Sequence, residues 1–184
     1  MPSLHEQAHL SLKRTVIIAI FSAVAVVLSL IESLIPVNVS IPGAKLGLAN
    51  IMILTCLYFL RGRDAFMVVI LKTVLSSFIL GTFSTFLFSI SGALLSFLAM
   101  WGLLRLGREH FSMISVSIVG GISHNVGQLG AASLYLQTTK VMAYLPLLLI
   151  AGILTGIAVG IAVRYLIPSL SKLSLFEGFL TKPA

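Results

Sequence analysis

Six long apolar stretches, joined by short polar links, constrain this chain more than any motif in it. They cover about residues 15–35, 47–60, 65–80, 86–104, 111–136 and 143–167; Pro36 follows the first and Pro168 the last. A helix needs roughly 20 mostly apolar residues to cross about 30 Å of hydrocarbon. Six such segments use most of the 184 residues and leave no length for a soluble head. Open strands cannot stand in lipid, because each unpaired backbone group costs several kcal/mol there. Nor do these stretches alternate as barrel strands do. The chain is therefore expected to be all-α, a polytopic membrane protein of six transmembrane helices. Composition closes the soluble alternative: 58% of residues are hydrophobic and 9% charged, whereas soluble domains are about 25% charged. A globule of this size exposes too much surface to hide that apolar fraction. A soluble enzyme, a disordered chain and a disulfide-stapled secreted domain are all excluded.

The basic residues set the expected orientation. With the N-terminus in the cytoplasm, Lys13, Arg14, Arg61, Arg63, Arg105, Arg108, Arg164, Lys172 and Lys182 fall inside, and only Lys45 and Lys140 fall outside. Cytoplasmic links carry the excess of Lys and Arg, so both termini are expected in the cytoplasm. Residues 1–14 and 168–184 are then tails flanking a membrane domain at 15–167. No cleavable signal is expected, since the first apolar stretch is too long for one. The net charge of +7 is dispersed in ones and twos, which gives no nucleic-acid surface. The single cysteine, Cys56, lies within an apolar stretch and forms no intrachain disulfide.

Polar groups inside the spans carry the functional signal, because charge there is costly. Lys72 stands near the middle of the third span and Glu32 about one turn from the outer end of the first. His124, Asn125 and Gln128 lie in the fifth, with His124 and Gln128 four apart on one face. Asn50 opens the second span and Lys45 stands just before it. That second span is short, and residues 36–46 before it hold two prolines, a glycine and a lysine. Such backbone must dip into the bundle or line a wet cavity. These seven residues are expected to converge in the outer half of the bundle as a pocket for a polar or anionic small molecule, the lysines meeting negative charge and the amides orienting the ligand. The structural alternative pairs Glu32 with Lys72 and uses the amides to bridge helices.

Small residues form two ridges. Gly152, Gly156 and Gly160 repeat every four residues on the sixth span and are expected to pack within the bundle. Ala19 and Ala23 form a similar pair on the first, open to docking of another membrane subunit. The run His5-Glu6-Gln7-Ala8-His9 fits the H-E-x-x-H zinc signature. Placed in a tail before the first span, outside any helix or cleft, it is assigned neither metal nor catalysis. No P-loop occurs, Asp64 is the sole aspartate, and only Glu32 among the four glutamates lies within a span. Magnesium chemistry on a diphosphate needs more carboxylates than that. No cofactor is expected.

The run Pro42-Gly43-Ala44-Lys45-Leu46-Gly47-Leu48-Ala49-Asn50 resembles the signature of a bacterial membrane family known as heptaprenyl diphosphate synthase component I, or Gx transporters. The resemblance covers about residues 12–168. That family is similar to the substrate-binding S components of energy-coupling-factor transporters. The resemblance implies six helices and a micronutrient-like ligand held near the outer face. It also implies docking through an Ala-x-x-x-Ala pattern, here Ala19 and Ala23, onto a coupling subunit driven by two ATPases. Lys45 and Asn50 fall in the signature itself. The family's other name implies instead a non-catalytic membrane partner of isoprenoid or quinone synthesis, since the Asp-rich motifs of prenyl synthases are missing. A membrane component of a flavin- or quinone-linked electron chain is a third reading.

Overall fold

The computed structural model describes residues 4–34, 47–81, 83–107, 110–176 and 179, with side chains from residue 10 onward except at Leu80. Among these residues the fold is all helical. The six α-helices are α1 (Leu4–Leu34), α2 (Asn50–Phe59), α3 (Gly62–Leu80), α4 (Phe83–Gly107), α5 (Met113–Tyr135) and α6 (Leu145–Leu170). Two short 3-10 turns, Thr139–Tyr144 and Ser174–Phe176, flank α6.

Two boundaries differ from expectation. Helix α1 begins at Leu4, so the His5–His9 run is helical and not in an extended tail. Its Glu, Gln, Ala, Leu and Lys neighbours are good helix formers, and the helix needs no lipid to continue through them. Among the described residues, no three His, Cys, Asp or Glu side chains gather. Helix α6 runs through Pro168 to Leu170, because a proline in the last turns forfeits one backbone bond and Ser171 N–H still donates to Ile167 O at 2.9 Å.

Local chemistry fixes the other ends. Ser112 caps α5 by accepting from Ser115 N–H at 3.0 Å. Helix α5 ends in a Schellman turn: Thr138 N–H reaches Ser133 O and Gln137 N–H reaches Leu134 O. Gln137 there takes the left-handed conformation, φ 50°, that glycine usually supplies.

Neighbour relations place α1 against α2 and α3, α3 against α4, α4 against α5, and α5 against α6, with α6 returning to α2. Helix α2 is thus surrounded. Eight of its ten residues are buried, as befits a helix that is apolar all round.

The outer surface is apolar: Leu34, Phe78 and Leu106 are each more than four-fifths exposed. Three helical segments, Leu10–Leu34, Phe83–Gly107 and Thr139–Leu170, are long and apolar enough to cross a membrane. Helix α3, with Arg63, Asp64 and Lys72, and α5, with His124, Asn125 and Gln128, are not among these three.

The glycine ridge of α6 packs within the bundle. A Cβ on Gly156 would stand 2.6 Å from Ile118 Cα, and one on Gly160 2.6 Å from Ile114 Cα. Helices α5 and α6 therefore touch backbone to backbone.

One end of the bundle is tied by charge and aromatic rings. The Arg14 guanidinium pairs with the buried Asp64 carboxylate, which also accepts from Arg61 N–H at 3.1 Å. Lys13 Nζ donates to Ser174 O at 3.2 Å. Phe176, 2% exposed, lies 4.7 Å from Phe59 and 5.9 Å from Phe21 between ring centroids. The chain after α6 thus folds back into the core. Arg105 stacks over Trp101 at 5.2 Å, and Trp101 lies against Gly62. The start of α1, the α2–α3 junction and the ends of α4 and α6 therefore meet at this basic end.

Candidate functional site

At the opposite end lies a cavity of about 300 Å³. Each wall contributes residues at one-turn spacing, which brings them to one helix face. Helix α1 supplies Ser29, Glu32 and Ser33. Helix α3 supplies Lys72, Thr73, Ser76 and Ser77, and α4 supplies Thr85 and Ser89. His124 comes from α5, and the turn opening α2 adds Gly47, Ala49 and Asn50, with Gly81 at the end of α3. Lys72 lies eight residues before the end of α3, so the cavity reaches roughly 12 Å down the bundle. Among the described lining residues the one ring is the His124 imidazole, and no apolar residue is larger than Ala49.

Glu32 ties two walls together. Its Oε1 accepts from Gly47 N–H at 2.7 Å, while Gly47 O accepts from Asn50 N–H at 2.8 Å. Gly47 has φ +71°, a left-handed conformation that strains any side chain. A Cβ there would also stand 3.4 Å from Asn50 Nδ2. The glycine therefore lets the turn close over Glu32 with the Asn50 amide beside it. Gly92 does the same for His124: a Cβ on it would meet His124 O at 2.7 Å and the imidazole Cε1 at 3.2 Å. The close approach of α4 to α5 seats that ring in the wall.

Glu32, Asn50, Lys72 and His124 are all buried, between 7% and 9% exposed. Of the residues expected from sequence, these four line the same cavity. Asn125 and Gln128 do not line it. Asn125 is buried and donates Nδ2 to Leu148 O on α6 at 2.7 Å, so it ties α5 to α6. Gln128 is half-buried, and its Oε1 has no hydrogen-bond partner among the described residues. Lys45 lies outside the described residues. Ala19 and Ala23 are exposed on α1, flanked by exposed Val16, Ile20 and Val27.

Sequence reasoning missed the hydroxyls. A serine or threonine in an apolar helix often satisfies itself on the preceding turn, as Thr73 Oγ1 does on Val69 O at 2.7 Å and Ser33 Oγ on Leu30 O at 2.6 Å. Each alone carries little information. The signal was their repetition one turn apart: Ser29 with Ser33, Lys72 with Ser76, Thr73 with Ser77, Thr85 with Ser89. Ser76 Oγ is buried and has no partner among the described residues.

Fold and site together define an all-helical membrane protein with a polar hollow at one end of its bundle. Residues 21–166 match the family model described as heptaprenyl diphosphate synthase component I. The chain belongs to that family. No curated protein and no solved structure matches it.

Proposed function

We propose that this chain is a multi-pass protein of the bacterial plasma membrane that captures a small polar solute from the outer side. In this reading it is the substrate-binding subunit of an uptake transporter of the energy-coupling-factor kind. The observation that carries the reading is the lining: a cavity inside the helix bundle walled by hydroxyls, an amide, an imidazole, Lys72 and Glu32. Polar and ionisable groups are rare inside membrane bundles and mark solute paths there, and a polar solute matches a wall of this chemistry. The positive-inside bias supports six crossings with the basic end, bearing Lys13, Arg14, Arg61, Arg63 and Arg105, in the cytoplasm and the cavity outside. Lys45, from its place in the signature run, is proposed to join Glu32, Asn50, Lys72 and His124 at the ligand. Ala19 and Ala23, exposed on α1, offer a close-packing strip to a coupling subunit with its two ATPases.

Native mass spectrometry of the gently extracted protein tests the binding reading. A retained small molecule is expected in the wild type and its loss in Lys72→Met, while that variant still folds as judged by a cooperative melting transition. The same adduct on both proteins refutes the cavity as its site.

The family description favours a second reading, a non-catalytic membrane component of heptaprenyl diphosphate synthesis. Its lipid-accessible groove would need large apolar side chains, and among the described lining residues no apolar residue is larger than Ala49. Copurification separates the two: a coupling subunit with ATPases supports the first, and a soluble prenyl synthase supports the second.

A further inference from the structure

We infer that the solute is a zwitterion of the amino-acid type, held by its carboxylate at Lys72 and by its ammonium at Glu32. This inference rests on the cavity being a solute site and names the chemistry it selects. The two charged residues stand on different helices, α3 and α1, and both open into the same cavity while 8–9% exposed. Two buried charges of opposite sign facing one cavity match a ligand that carries both charges and adds no net charge.

The ammonium of Lys72 has three donors, and the Glu32 carboxylate has about four lone-pair sites. Accepting from Gly47 N–H uses one of those sites and fixes the carboxylate's position. Ser76 stands one turn from Lys72 on the same face, with its buried Oγ lacking a partner among the described residues. That hydroxyl is placed to donate a second bond to the same carboxylate.

The other ligand classes fit poorly. A flat heterocycle gains its affinity by stacking on rings, and the described lining offers only the His124 imidazole, with no Phe, Tyr or Trp. A prenyl chain needs large apolar side chains along its wall, and no apolar residue in the described lining is larger than Ala49. A diphosphate calls for several cations or a bidentate arginine, and Lys72 is the one Lys or Arg among the described lining residues. The volume, about 300 Å³, sits at the small end of ligand pockets.

The test uses the full chain in detergent. The standard amino acids are screened by thermal shift. The strongest is then compared by titration with its 2-hydroxy acid, which lacks the ammonium, and its decarboxylated amine. Each analogue is expected to bind roughly tenfold to a hundredfold more weakly, the value of one charge-assisted hydrogen bond. Glu32→Gln keeps an oxygen for Gly47 N–H. It is expected to weaken the amino acid by a similar factor while leaving the 2-hydroxy acid unchanged. Lys72→Met should abolish both, and Lys72→Arg should restore part of the binding. A hydroxy acid that binds as tightly as the amino acid overturns the zwitterion. So does Lys72-dependent binding confined to a heterocycle or a prenyl diphosphate, though the cavity reading then survives. If neither the screen nor native mass spectrometry yields any bound solute, both fall.

Discussion

The contact between α5 and α6 gives the sharpest quantitative expectation, and Gly156→Ala is the perturbation that reads it. A Cβ at position 156 would lie 2.6 Å from Ile118 Cα and 2.9 Å from both Ile118 N and Ser117 O. All three atoms are backbone, so no rotamer change relieves them. Carbon atoms settle at about 3.5 Å or more, so the helices must part by roughly 0.9 Å. Gly152 and Gly160 sit on the same ridge against Gly121 and Ile114, and the opening reaches them too. A gap of that size forfeits about a quarter to a half of each dispersion contact along the seam. Overpacking of this kind costs about 1–3 kcal/mol, of which alanine's better helix propensity returns up to about 1. A net loss of roughly 1–2 kcal/mol lowers the melting temperature by roughly 2–8 °C in a chain of this length. Trp101, the sole tryptophan, reports unfolding by intrinsic fluorescence in detergent. Gly102→Ala on α4 is the control, because nothing lies within 4 Å of its Cβ position; it should leave the midpoint unchanged or raise it. Equal midpoints for the two variants would show that the ridge is not a close-packed seam.

Asn125→Ala removes one interhelical hydrogen bond to Leu148 O, worth about 0.6 kcal/mol in membrane bundles. It should lower the melting temperature slightly and leave solute binding intact; lost binding at unchanged stability would make Asn125 a ligand residue instead. Asp64→Asn discharges the buried carboxylate that holds Arg14 and the start of α3. A loss of about 1–3 kcal/mol is expected, and it should shrink in an Arg14→Gln background, where a double-mutant cycle measures the pair. Phe176→Ala empties a ring site between Phe21 and Phe59 at a cost of about 3–5 kcal/mol; limited proteolysis after α6 should accelerate, and an unchanged cleavage rate would mean the segment is not docked.

Helix number and order were legible because apolar length is a physical demand of lipid, and all six stretches became helices. Their ends were less so. Residues 4–14 carry Glu, Gln, Lys and Arg, which mark the end of an apolar span but do not end a helix. Pro168 signals a stop that backbone bonding near a helix end can override. The fold-back of Phe176 was hidden, since Leu173, Leu175, Phe176 and Phe179 make too short a run, broken by polar residues, to be read as a docked segment. At the site, depth along each helix was legible and direction was not. His124 and Gln128 were placed on one face by their spacing, and Asn125 joined them by depth alone. A single residue step turns a helical side chain by about 100°, and that step carries Asn125 away from the His124 cavity toward Leu148 on α6.

The cavity exists because α2 is short. Ten residues rise about 15 Å, half of what the other walls provide. Its last residue, Phe59, packs against Phe176 at the basic end, so its first, Asn50, stops partway along the bundle. Around that level α1, α3, α4 and α5 turn Ser, Thr, Glu, Lys and His toward the hollow while keeping their large apolar side chains outside. A stable hollow of this kind should accept filling. Ser76→Leu replaces a buried hydroxyl that has no partner among the described residues with apolar volume pointing into about 300 Å³ of space. Removing an unsatisfied buried group relieves a cost of about 1–3 kcal/mol, and the added carbons gain contacts. The melting temperature should hold or rise, and solute binding should be lost with it. A protein that is stabilised by the leucine and still binds its solute would place that solute elsewhere. A protein that unfolds would mean that the space beside Ser76 is already occupied.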